Sequence, residues 1–89
     1  MKKVRKKIPL EYFELIKSGK KKFEVRVADF DVSEGDILVL EEWDEKTKKY
    51  SGRSLQRKIG YTLHFTLNKF RQKKLIEKHG LYILQLEDK

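Results

Sequence analysis

Cysteine is absent from this chain. That omission removes disulfides, thiolate nucleophiles and cysteine-based metal sites together, and it accords with a cytoplasmic protein. Histidine is nearly as scarce. His64 and His79 are too few for a histidine-rich cage, so no metal and no other cofactor is expected. No apolar run approaches the roughly 20 residues that a membrane-spanning helix needs, so no membrane association is expected. Residues 1–7 are basic but have no apolar segment behind them, which argues against a secretory signal. Gly19 and Gly35 stand alone, so there is no glycine-rich phosphate loop. Nothing local suggests a Ser–His–Asp arrangement.

Charge is abundant instead. Lys and Arg total 22 against 14 acids, a net +8 at pH 7. A Lys- and Glu-rich, amide-poor, cysteine-free composition is typical of hyperthermophile proteins. The positive excess favours a polyanionic partner, RNA or a nucleotide, because each cation that neutralises a phosphate releases counterions. The competing reading is that the excess only maintains solubility. Basic runs cover residues 2–7, 17–22, 46–58 and 69–78, and an acidic belt over 29–45 divides them. If the runs converge in space they form a basic groove; otherwise each is a solvated face.

At 89 residues the chain suits one domain, residues 1–89. Residues 4–8 read as a strand. Pro9 suits the first turn of a helix, Leu10, Phe13 and Ile16 recur at helical spacing, and Gly19 ends the helix. Residues 21–27 alternate as a second strand, with Phe23, Val25 and Val27 on one side. A turn-rich acidic connection over 28–35 follows, its Phe30 and Val32 tucked under the sheet. Residues 37–43 form a central strand, 44–49 a hairpin loop, and Tyr50 begins the return, with Gly52 and Arg53 at a bulge. Residues 55–65 give the longest clean alternation and predict a long antiparallel strand. Thr66 caps a second helix to Lys78, with Leu67, Phe70 and Ile76 inward, Gly80 stops it, and residues 81–86 close the chain as a last strand. This order predicts an α+β domain: a small, closed β-barrel of about five to six mostly antiparallel strands with one or two short helices.

Lys21, Glu24 and Arg26 are the candidate site. Arg26 offers a planar fork for a phosphate or a base edge. Lys21 offers a point charge, or a general base if its surroundings favour the neutral amine, and Glu24 accepts hydrogen bonds or orients Lys21. Strict alternation places Lys21 on the opposite face from the other two, so the three converge only if the chain is still turning at Lys21. Lys20, Lys22 and Arg53 are the candidate phosphate contacts. The competing reading is a strand-surface ladder of ion pairs, each contributing about 0–1 kcal/mol. Tyr12, Trp43, Tyr50, Tyr61 and Tyr82 lie near basic residues and offer stacking surfaces, although most aromatics serve the core. His64 reads as a surface residue and His79 as a helix-end cap.

Gly19, Lys21, Glu24 and Arg26 resemble the Gly-x-Lys-x-x-Glu-x-Arg signature of the ASCH domain family of the PUA-like superfamily. The small DUF3850 group of ASCH-like domains is more similar still, through Pro9-Leu-Glu-Tyr-Phe, Phe23-Glu-Val-Arg, Asp29 to Asp36, the Glu-Trp-Asp hairpin, Tyr50-Ser-Gly-Arg and Gly80-Leu-Tyr-Ile-Leu. The resemblance runs from about Ile8 to Leu86. It implies a PUA-like barrel with a cleft lined by the signature strand, and RNA binding. Some ASCH-like members are hydrolases, either ribonucleases or amidohydrolases of acetylated cytidine. In the amidohydrolase a Lys that matches Lys21 partners a Thr, and here that position is Glu24, which removes the nucleophile. The expected function is therefore RNA or nucleotide binding. The alternatives are a small hydrolase with Lys21 as base and Glu24 as its partner, or a protein-interaction module that pairs through an exposed sheet edge.

Overall fold

The computed structural model describes residues 1–67 and 72–88. Its framework is β1 (Lys3–Pro9), α1 (Leu10–Lys17), β2 (Ile37–Asp44), β3 (Lys49–Lys58) and α2 (Lys73–His79). The strands form one open sheet in the order β1-β2-β3. β1 runs parallel to β2, with Lys3 opposite Ile37 and Pro9 opposite Trp43, and β3 returns antiparallel to β2.

Strand periodicity places Val4 and Ile8 of β1 on the same sheet face as Leu38 and Leu40 of β2. α1 covers that face. Phe13 and Ile16 descend from it to join Ile8, Leu38 and Leu40 in the core, with Val4, Leu55 and Ile59 packed alongside. Phe13, Ile8 and Leu40 are each 1% exposed, and full burial of such side chains stabilises by about 1.5–3 kcal/mol apiece. Eight residues of helix are marginal alone, so this packing holds α1 in place. Pro9 is the residue that caps α1 rather than its first turn, and Leu10 stays largely exposed. Gly19 takes the left-handed conformation (φ 85°) that ends the helix.

Asp36 fixes where the sheet begins. Its buried carboxylate accepts the Lys2 and Ser33 backbone N–H groups at 3.1 and 2.9 Å, and the Ile37 N–H donates to the Lys2 carbonyl at 2.8 Å. These backbone donors hold the Asp36 carboxyl below the usual carboxylate range.

The barrel expectation is overturned: the sheet has three strands, it is open, and one of its two pairings is parallel. Two expected strands are missing and a third is cut short, each for a physical reason. Residues 21–27 form no ladder; Val25 and Val27 are exposed, and the Arg26 side chain, not a backbone group, takes the Lys7 carbonyl of β1. β3 stops at Lys58 because β2 starts at Ile37. Ile59 still exchanges backbone hydrogen bonds with Gly35 and Asp36, but beyond it no strand among the described residues pairs with the chain, and the Thr62 N–H goes to the Glu34 carboxylate instead. Residues 81–86 are attached through a side chain, Gln85, which accepts the Lys22 N–H and donates to the Lys20 carbonyl. α2 is a short stretch beginning at Lys73, so Thr66 does not cap it, although Gly80 ends it as expected with φ 76°. The expected inward Phe70 lies outside the described residues.

Candidate nucleotide cleft

Lys21, Glu24 and Arg26 come together because residue 21 is still turning. The Lys21 N–H reaches back to the Leu15 carbonyl of α1 at 3.0 Å, so strict strand alternation does not apply there. Lys21 Nζ donates to Glu24 Oε1 at 3.1 Å and to the Phe23 carbonyl at 2.8 Å. Arg26 Nε donates to Glu24 Oε2 at 2.6 Å, and its Nη2 donates to the Lys7 carbonyl at 2.6 Å. The row is partly covered: the three side chains are 14%, 17% and 27% exposed. The Lys21 ammonium also lies 4.7 Å from the Phe23 ring centre and 5.3 Å from that of Tyr12. Cations this close to ring faces gain electrostatically from the ring quadrupole.

Arg26 then lines a cleft of about 340 Å³ with Lys7, Ile8, Pro9, Trp43 and Glu45. The parallel pairing builds this cleft, since it brings the C-terminal ends of β1 and β2 to the same edge, where Pro9 meets Trp43. Lys7 Nζ sits 4.0 Å over the Trp43 ring, and Tyr50 meets that ring edge-on at 4.8 Å. Glu45 lines the cleft from the hairpin turn. Lys48 Nζ holds it at 2.8 Å and, with smaller contributions from Lys7 and the Trp43 side chain, keeps its carboxyl below the usual range.

Arg53 stands in a different cluster. Its Nε and Nη2 donate to Glu42 at 2.9 and 2.7 Å, and Nη2 also donates to Glu14 of α1. The guanidinium lies 4.7 Å from the Phe13 ring centre. The β-bulge expected at Gly52 and Arg53 is present, with residues 51–53 facing Glu42 alone and Gly52 at φ 97°. So Arg53 pins helix to sheet, which leaves it poorly placed as a phosphate contact. Lys20 and Lys22 are exposed, with backbone groups tied to Gln85.

The acidic belt does not stand apart from the basic runs. Asp31 pairs with Lys2, Glu41 with Arg5, Glu42 with Arg53 and Glu45 with Lys48. Sequence reasoning missed Glu42, Lys7 and Glu45. Parity could have found Glu42, because it shares a face with Leu38 and Leu40 and a carboxylate there needs a cation. No group of acidic or histidine side chains among the described residues could hold a metal ion. No helix among them is long and apolar enough to cross a membrane.

A family model described as "Domain of unknown function (DUF3850)" matches residues 5–74. No curated protein and no solved structure matches the chain.

Proposed function

We propose that this chain, which belongs to the DUF3850 family of domains of unknown function, binds single-stranded RNA or a nucleotide in the cleft between Arg26 and Trp43. The observation that carries this reading is Arg26. Glu24 and the Lys7 carbonyl fix two of its donors, and the same side chain lines a cleft walled by an aromatic ring. A braced guanidinium keeps its fork in position for a phosphate or a base edge. An indole beside it offers a stacking surface. The cleft's volume, about 340 Å³, lies at the low end of ligand pockets and suits one nucleotide unit. The signature residues Gly19, Lys21, Glu24 and Arg26 support an ASCH-like affiliation, which fits the same reading. Lys21 serves as a brace here: two of its donors hold Glu24 and the Phe23 carbonyl.

The test is fluorescence anisotropy with a short labelled single-stranded RNA at two salt concentrations. The wild type binds, and binding weakens with salt. Arg26→Ala reduces affinity about ten-fold, and Lys21→Ala lowers the salt slope by about one unit at most. Equal affinity for the wild type and both variants, or no binding at all, overturns the proposal. RNA turnover that vanishes in Lys21→Ala would favour a hydrolase instead.

A further inference from the structure

Glu45 is the one carboxylate in a cleft otherwise lined by cations, apolar atoms and an indole. We infer, on the nucleotide-binding reading above, that Glu45 selects the base: the cleft takes nucleotides whose base edge carries an amino group and rejects uracil.

The lining carries charge of both signs: Arg26 and Lys7 are positive, and Glu45 on the turn is negative. A nucleotide presents a complement to each, an anionic phosphate and a base edge that can donate. A carboxylate only accepts hydrogen bonds, so it rewards an edge that donates. Cytosine presents its N4 amino group and adenine its N6 amino group, whereas uracil presents a carbonyl at the equivalent position. A carboxylate facing that carbonyl leaves two acceptors opposed, which costs binding as surely as the amino contact favours it.

Glu45 is held for this task. Lys48 Nζ binds one oxygen, Oε2, at 2.8 Å. That donor leaves lone pairs on the carboxylate for another. The Lys7 ammonium now covers the indole face. A cation–π contact at an exposed site is weaker than stacking of a base on an aromatic ring. A base can therefore displace Lys7, which then moves toward the phosphate.

The test compares oligocytidine and oligouridine of equal length, competing for the wild type and for Glu45→Gln at neutral pH. Wild type prefers oligocytidine by about five-fold or more, the lower bound for a well-formed base contact. Glu45→Gln brings the ratio to near one, because the amide can turn its NH₂ to the uracil carbonyl, while affinity for oligouridine holds or rises. Equal wild-type affinity for the two oligomers overturns this inference alone, as does a ratio unchanged in Glu45→Gln. Failure to bind either oligomer overturns the nucleotide reading and this inference with it.

Discussion

Glu42 and Glu24 are both glutamates gripped by basic side chains, and their surroundings give them different work. Glu42 is 3% exposed, faces the underside of α1, and holds Arg53, whose other contacts are Glu14 and the Phe13 ring. Everything that touches this pair belongs to the helix, the central strand or the bulge. Glu24 holds Lys21 and Arg26 on a segment without regular structure, and Arg26 opens onto a cleft. An ion pair enclosed by framework serves the framework. An ion pair with a cavity on one side has a position left for a ligand. The difference lies in what stands behind the cation, and a count of charges would miss it.

The comparison can be broken from either side. Phe13→Ala removes the ring beneath Arg53 and empties the core, and is expected to cost about 3–5 kcal/mol. Urea denaturation measures it, and a loss below 1 kcal/mol would mean that α1 is not packed as described. Glu42→Gln leaves Arg53 with the Glu14 carboxylate alone and should cost about 1–3 kcal/mol. Its RNA affinity, measured where the variant is folded, should match wild type, because Glu42 lies outside the cleft.

Acid titration sharpens the same contrast. Hydrogen bonds from Arg53 and then Ser51 hold the Glu42 carboxyl below its ordinary range, and backbone N–H groups do the same for Asp36. A depressed folded value means stability that is complete above the unfolded value, about 4 for Asp and Glu. That stability is lost as the pH falls through the folded value. Wild type should therefore hold steady near neutrality and weaken below about pH 4. Both Glu42→Gln and Asp36→Asn should flatten that decline, seen as a smaller fall in melting temperature between neutral and acidic buffer. An unchanged acid limb in both variants would place the sensitive carboxylates elsewhere.

The smallest stability effect belongs to Arg26→Ala. A partly exposed pair contributes about 0–1 kcal/mol, so its melting temperature should scarcely move while binding falls. A large loss of stability would reclassify the Lys21–Glu24–Arg26 row as framework.

Local pattern carried the well-packed half of the molecule. β1, α1, β2, the hairpin and the bulge follow from alternation, the 3.6-residue period and the placement of Pro9, Gly19 and Gly52. The remainder was illegible for one reason. Residues 21–27, 55–65 and 81–86 alternate as strands do, but a strand exists only where a partner lies opposite, and alternation does not name the partner. β2 begins too late to match residues beyond Ile59. The parallel course of β1, which builds the cleft, is equally non-local. Within the site, the convergence of Lys21 with Glu24 and Arg26 depended on one backbone hydrogen bond to Leu15. Glu42 was within reach of parity alone.

The Asp36 clamp has a consequence for the order in which the chain assembles. β2 and β3 meet across a turn at residues 45–48, whereas β1 must find β2 over the 34 positions that separate Lys2 from Asp36. Loop-closure entropy makes the longer search dearer by about 2 kcal/mol, so the hairpin closes early and β1 docks late. Asp36→Asn should then chiefly hasten unfolding, while Asp44→Ala, which removes the carboxylate that accepts the Lys46 and Thr47 N–H groups in the turn, should slow refolding in stopped-flow traces. Until Asp36 is in place, the first residues of the chain have nowhere to settle.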